Sequence, residues 1–347
     1  MDEFRLLSLL SDQQPRRKRV VENILKGRRT VSTLFWGMRY GILDWLGYEK
    51  KLQRDTYDSV FDQLIQEQLV EAVDQQFRLT EFGTARLNQL AKTHYQPQNL
   101  AVGQFYDSQL FQERLLLIIQ VVSEYSFDNR QYYPQLASQA NLQFAREWFR
   151  WFKINGTVDL FAKEIQDLLQ NLNDDRLALL VAFRFMGHGT MGLTTQQLAV
   201  EYNSDVDQIA AIQTDVMLGF IPRIKENPES LLSPLIAGID SSRVSASATQ
   251  TLAEVWQHHS FKQISQQRRL KESTVKEHIL EAAILLPIDE IPYDALISQS
   301  LRKQLASILS GQEIDEWQFD QLTAKLPDLD FFYFRLYQIL RSKEHVK

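Results

Sequence analysis

The stretch QISQQRRLKESTVKEHI, residues 263–279, decides how this chain reads. Its apolar positions Ile264, Leu270, Val275 and Ile279 are spaced for two short helices that meet at a turn plugged by Leu270. Working backwards, TLAEVWQHH supplies a preceding helix from about Thr249 to Gln257 that buries Leu252, Val255 and Trp256. The second helix runs from Phe261 to about Arg268, with the small Ser265 where two helices approach closely. The third begins at Ser273 or Thr274, where Thr274 and Glu277 fit a capping box, and buries Val275, Ile279 and Ala282 or Ala283. Three helices in this order form a helix-turn-helix, with His278 at the edge of its core.

Charge points the same way. The chain has 347 residues and a net charge of −6, yet residues 1–54 hold twelve Lys or Arg against six Asp or Glu. Within that end, Arg16, Arg17, Lys18, Arg19, Lys26, Arg28 and Arg29 are opposed only by Glu22. A second island comprises Lys262, Arg268, Arg269, Lys271 and Lys276, opposed only by Glu272. Phosphate backbones bind local patches of this sort and do not require a protein that is basic overall. The commoner meaning of a charge run is a solvated helix face.

At this length two or three domains are expected. There is no cysteine, which excludes disulfides, thiolate zinc sites and cysteine nucleophiles. The start, MDEFRLLSLLSDQQ, has acids where a secretory signal needs bases, and no stretch approaches the roughly 18 apolar residues of a membrane span. Neither export nor insertion is expected, and a cytoplasmic location fits.

Helical spacing dominates, as in YDSVFDQLIQEQLV and LLLIIQVVSEY, so the fold is mainly α. One hairpin is expected, with LVEAV, a DQQ turn and FRLTEFG. Three helices and then a hairpin give residues 16–90 a winged-helix layout. Three segments follow: 1–95, winged-helix-like and basic; 96–243, a helical middle; and 244–347, the helix-turn-helix with a helical tail. The linker between the first two is HYQPQNLAVGQ, and NPESLLSPLIAGIDSSRVSASA marks the second boundary.

Two motifs have competing readings. REWFRWFKING, residues 146–156, alternates aromatics with bases as single-strand binders do, but four bulky aromatics in five positions are expected to be mostly core. GHGTMG, residues 187–192, fits G-x-G-x-x-G but lacks the strand–helix–strand context. It reads as a loop, with Gly187 left-handed and Thr194 with Gln197 capping the next helix. LTTQQLAVEYNSDVDQIAAIQTDV reads as two helices about Asn203–Asp205, and with no base between residues 190 and 222 it is a packing unit.

The run from Ile264 to Ile279 resembles the helicase-associated helix-turn-helix domain found toward the C-termini of some RecQ-type helicases and at the end of YpbB-like bacterial proteins. Arg268, Leu270, Ser273, Thr274, Val275, His278 and Ile279 carry the likeness; Arg269 stands where that family commonly has Gly. KGRRTVSTLFWG adds a likeness of layout to the amino-terminal part of YpbB-like proteins. The resemblance implies a DNA-binding accessory to a RecQ-type helicase in repair or recombination. No G-x-x-x-x-G-K-[ST] loop, nucleophile elbow or metal-ligand spacing is present, so no catalysis and no cofactor are expected. The expected DNA contacts are Arg269, Lys271 and Lys276 on phosphates, with Arg268 beside them. Ser273 and Thr274 stand at the groove entrance of a helix 273–283 laid on the duplex. Glu281 on the outer face would oppose phosphate and make binding weak. A transcriptional regulator, or an interaction module without DNA affinity, are the competing readings.

Overall fold

The computed structural model describes residues 2–134 and 138–344. Among these the chain runs through α1 (Glu3–Ser8), α2 (Lys18–Leu25), α3 (Val31–Arg39), α4 (Arg54–Gln66), β1 (Val70–Val73), β2 (Gln76–Leu79) and α5 (Glu81–Leu90). There follow α6 (Ser108–Ser126), α7 (Gln139–Asn155), α8 (Val158–Gln170), α9 (Asp175–Ala182), α10 (Thr195–Glu201) and α11 (Val206–Lys225). The last part holds α12 (Ala246–Trp256), α13 (Phe261–Arg268), α14 (Glu272–Leu285), α15 (Tyr293–Leu296), α16 (Gln299–Ile308), α17 (Phe319–Thr323) and α18 (Phe331–Glu344). The fold is mainly α, as the helical spacing requires.

Packing divides the chain into two units. One comprises Met1–Ser8, Gln63–Leu69 and Thr80–Ser241; the other comprises Leu9–Asp62, Val70–Leu79 and Ser242–Lys347. The basic amino-terminal segment and the helix-turn-helix segment, far apart in sequence, thus share one unit.

In the first unit, α6, α7 and α11 enclose Phe111, Trp148, Phe152, Met217 and Phe220. The expected linker is tied down: buried Asp215 on α11 accepts from the Tyr95 hydroxyl and from the backbone N–H groups of Gln98 and Asn99. GHGTMG is a tight loop in which Gly187 and Thr190 exchange backbone hydrogen bonds. Its left-handed residue is Gly189, at φ 68°, and not Gly187, whose place is fixed by space: a Cβ there would lie 2.4 Å from the Ser123 hydroxyl. Thr194 and Gln197 form the expected capping box, and Asn203, at φ 46°, turns the chain between α10 and α11.

In the second unit, β1 and β2 pair antiparallel from Val70 opposite Leu79 to Val73 opposite Gln76. The turn is therefore Asp74–Gln75, one residue shorter than DQQ, with Asp74 at φ 54°. Arg16 adds a bridge to Phe77. The helix-turn-helix segment forms α12, α13 and α14, each beginning earlier than or at its expected start. Ser245 caps α12 and Ser260 with Gln263 makes a capping box on α13. Helix α14 starts at Glu272 behind Lys271, so the Thr274–Glu277 box does not form. Trp256 is 51% exposed and not core, its ring N–H donating to the Glu290 carbonyl.

Helix α14 is packed by α12, α13, α18 and α3. From Ile279 to Leu285 every residue is buried, which is what the unbroken run ILEAAIL demands. The aromatic tail docks here: Phe332 meets Phe261 edge-on, and Lys276 pairs with Asp330. Phe35 on α3 carries the Arg335 guanidinium of α18 at 4.0 Å. Burial lowers the pKa of Arg335 to about 10.

The expectation that Glu281 faces outward is corrected. It is buried at 7% exposure and accepts from the Ser245 N–H at 2.8 Å, the Ser245 hydroxyl and the Arg29 guanidinium. Replacing Glu281 by Ala removes the shared acceptor of the half-buried Ser245 and the Arg29 guanidinium and is expected to lower the second unit's stability by about 1–3 kcal/mol in denaturant unfolding. The same change at exposed Glu277 is expected to be nearly silent. Equal effects would contradict this orientation.

Candidate nucleic-acid interface

The turn between α13 and α14 is built from within. The Leu270 N–H donates to the Ser265 carbonyl and the Ser265 hydroxyl to the Leu270 carbonyl at 2.7 Å. Arg269 closes it in the left-handed region, at φ 53° and ψ 43°, a conformation costing a non-glycine residue roughly 1–2 kcal/mol. Its side chain is thereby thrown into solvent.

Helix α14 then presents only its first turns. Glu272, Ser273 and Glu277 are exposed, Thr274 and Lys276 half-buried, and no side chain caps the helix. Uncapped N–H groups and the positive end of the helix dipole attract an anion there. Of the helix 273–283 expected to lie on DNA, the part from Ile279 onward is enclosed, and only the first turns are open.

The predicted cations separate into two groups. Arg268 turns inward, donating to the Ser247 carbonyl at 3.0 Å, the Ser247 hydroxyl and Thr251. Thr251 in turn contacts His278 at 2.9 Å. Arg16 is likewise internal, donating to the carbonyls of Leu9 and Tyr40. Lys18 pairs with Asp58 and Asp62, Arg19 with Glu22 and Asp58, Lys26 with Glu22, Arg29 with Glu281 and Lys276 with Asp330. Arg17 lies 4.1 Å over the Trp36 ring. Among the described residues, the side chains of Arg28, Lys262, Arg269 and Lys271 have no hydrogen bond or ion pair and are exposed.

The pairing also shows why the amino-terminal helices read as more basic than they are. Helix α4, the last before the hairpin, carries Asp55, Asp58 and Asp62 on its outer side, and two of these, Asp58 and Asp62, hold Lys18 and Arg19. An acidic helix in that position repels phosphate. Sequence reasoning missed these partners because they lie about forty residues downstream of the bases they neutralise.

Among the described residues no group of three His, Asp or Glu could hold a metal ion, and no helix is long and apolar enough to cross a membrane.

Residues 247–338, spanning α12 to most of α18, match the profile of a helix-turn-helix domain family. The chain is 21% identical over 273 residues to Protein YpbB of Bacillus subtilis (strain 168), an alignment that covers 77% of each chain. It is thus similar to YpbB-like proteins, with a C-terminal helix-turn-helix domain. No solved structure gives a significant match.

Two outcomes follow from this geometry. Arg269→Gly relieves the left-handed strain and is expected to stabilise the second unit by up to about 1 kcal/mol in thermal unfolding, less glycine's own entropy. An unchanged or lower midpoint would mean that the turn is not strained. His278 is held below its ordinary value of 6.5 by burial and then by the Arg268 guanidinium. As the pH falls through 6.5, the unfolded chain gains a proton at His278 that the folded chain refuses, so stability drops in that window and not above it. Between about pH 7.5 and about pH 5.5 the midpoint of His278→Gln is expected to fall less than that of the unaltered chain.

Proposed function

We propose that this chain is a non-catalytic DNA-binding accessory protein that assists a RecQ-type helicase in repair or recombination within the cytoplasm. It binds duplex or forked DNA weakly and with little regard to sequence. The observation that carries the reading is the uncapped N-terminus of α14, set beside the free side chains of Arg269 and Lys271 in a helix-turn-helix domain. Phosphate enters end-on there, against the backbone N–H groups and with Ser273 and Thr274 at the entrance. Arg17, Arg28 and Lys262 supply further exposed charge on the same unit. Glu272 and Glu277 stand on the exposed part of α14 as well and hold the affinity down.

Operator recognition needs a helix whose side chains read several base edges in the major groove. An end-on helix with two exposed carboxylates is poorly equipped for it, which favours the accessory reading over a transcriptional regulator. The helicase partnership rests on the family likeness alone. It fails if the purified chain neither binds the RecQ-type helicase of its own genome nor alters the rate at which that enzyme unwinds a fork.

Fluorescence anisotropy of the full chain with duplex and forked DNA, titrated across salt, tests the contact surface. Each lost phosphate contact lowers the slope of log affinity against log salt by about 0.9. Arg269→Ala combined with Lys271→Ala is expected to flatten that slope by about two, whereas Arg268→Ala, which acts inside the fold, leaves the slope unchanged. No binding at low salt would overturn the reading and favour a protein-interaction module.

A further inference from the structure

The motif REWFRWFKING divides between two faces of α7. Trp148 and Phe152 are core, stacked 5.1 Å apart. Leu142, Arg146, Phe149 and Lys153 recur at intervals of four, three and four, which is one stripe of a helix. Opposite them, Leu117, Val121 and Tyr125 form a stripe along α6. Between the stripes lies a cleft of about 510 Å³, whose third wall is the segment 128–134. That volume lies within the roughly 300–1,000 Å³ typical of small-ligand sites.

The wall is held in place. The Gln120 side-chain amide donates to the Tyr133 carbonyl at 3.0 Å, and Asn129 donates to Glu124 at 2.6 Å. Glu124 also meets His188 of the GHGTMG loop at 2.9 Å, a contact that draws its pKa below the usual carboxylate range. His188 stacks in turn on Phe127.

The lining has a definite chemistry. Its floor is apolar and carries Tyr125 and Phe149, which meet edge-to-face with ring centres 5.1 Å apart. Lys153 already covers the Phe149 ring at 5.2 Å, so Tyr125, 46% exposed, is the more open platform of the two. Arg130, Arg146 and Lys153 stand around it against the single carboxylate of Asp128. The Arg130–Asp128 pair is 3.5 Å apart with both side chains 88% exposed, too solvated to cancel the charge. A ligand that matches this must offer a flat ring and more than one negative charge beside it, which is the chemistry of a nucleotide.

We propose that the cleft between α6 and α7 binds single-stranded DNA, stacking one unpaired base on Tyr125 and holding the flanking phosphates on Arg130, Arg146 and Lys153. The inference rests on the DNA-binding reading and deepens it: the first unit takes an unpaired strand while the helix-turn-helix takes duplex, the two substrates a fork presents together.

The test uses the full chain, with anisotropy of fluorescein-labelled oligo-dT and of a duplex measured side by side. Arg146→Glu with Lys153→Glu changes two exposed side chains of α7. It is expected to weaken oligo-dT binding at least about tenfold while leaving duplex affinity unchanged. Tyr125→Ala, its fold verified by circular dichroism, is expected to weaken oligo-dT binding by about tenfold through lost stacking. The Arg269→Ala, Lys271→Ala chain gives the mirror result, losing duplex and keeping the strand. Oligo-dT that does not bind, or binds both cleft variants undiminished, overturns the inference; if duplex still binds, the parent reading survives that failure. Displacement of the strand by dTMP as effectively as by unlabelled oligo-dT overturns the assignment to a strand in favour of a free nucleotide.

Discussion

The enclosure of α14 is the constraint on which the second unit depends. Seven consecutive residues, Ile279–Leu285, are all buried, and a helix apolar on every side needs neighbours on every side. It obtains them from α12 and α13 within the helix-turn-helix, from the tail helix α18 and from α3 near the opposite end of the chain. Glu281, the one acid in that run, would be intolerable there without partners. Arg29 and Ser245 supply them, so a base that looks destined for DNA is spent on the fold.

This enclosure also decides which surface of α14 is open. Surface that would lie along a groove in a free-standing helix-turn-helix is covered, and only the end of α14 remains for an anion. The left-handed Arg269 and the side chain of Lys271, both exposed, belong to the same turn, so a strained position of the domain also carries free positive charge. A strained residue kept where glycine would be easier is consistent with a side chain retained for its charge.

Much of this was legible in the sequence. The α13–turn–α14 pattern stands out because Val275 and Ile279 keep a helical spacing and Leu270 plugs the turn that separates them from Ile264, and the structure places Ile264, Val275 and Ile279 in the core. The hairpin register was off only by one turn residue. What stayed hidden was long-range. Periodicity says that a face is buried but not by what, so the docking of α18 and α3 on α14 could not be read, nor could the inward aim of Glu281. Charge counting failed for the same reason, since Asp58 and Asp330 neutralise Lys18 and Lys276 from distant parts of the chain. The apolar spacing also puts Trp256 on the core face with Leu252 and Val255, but it sits in the last turn of α12, where its ring reaches out to the Glu290 carbonyl.

In the proposed reading, DNA meets the end of α14 and not its length. Lysine acetylation footprinting of the full chain, with and without saturating duplex and read by mass spectrometry, tests it most directly. Protection of Lys271 by DNA, with Lys276 and Lys18 reacting slowly and equally in both states because they are already paired, is the predicted result. Unchanged reactivity of Lys271 under conditions where the duplex is bound would contradict it.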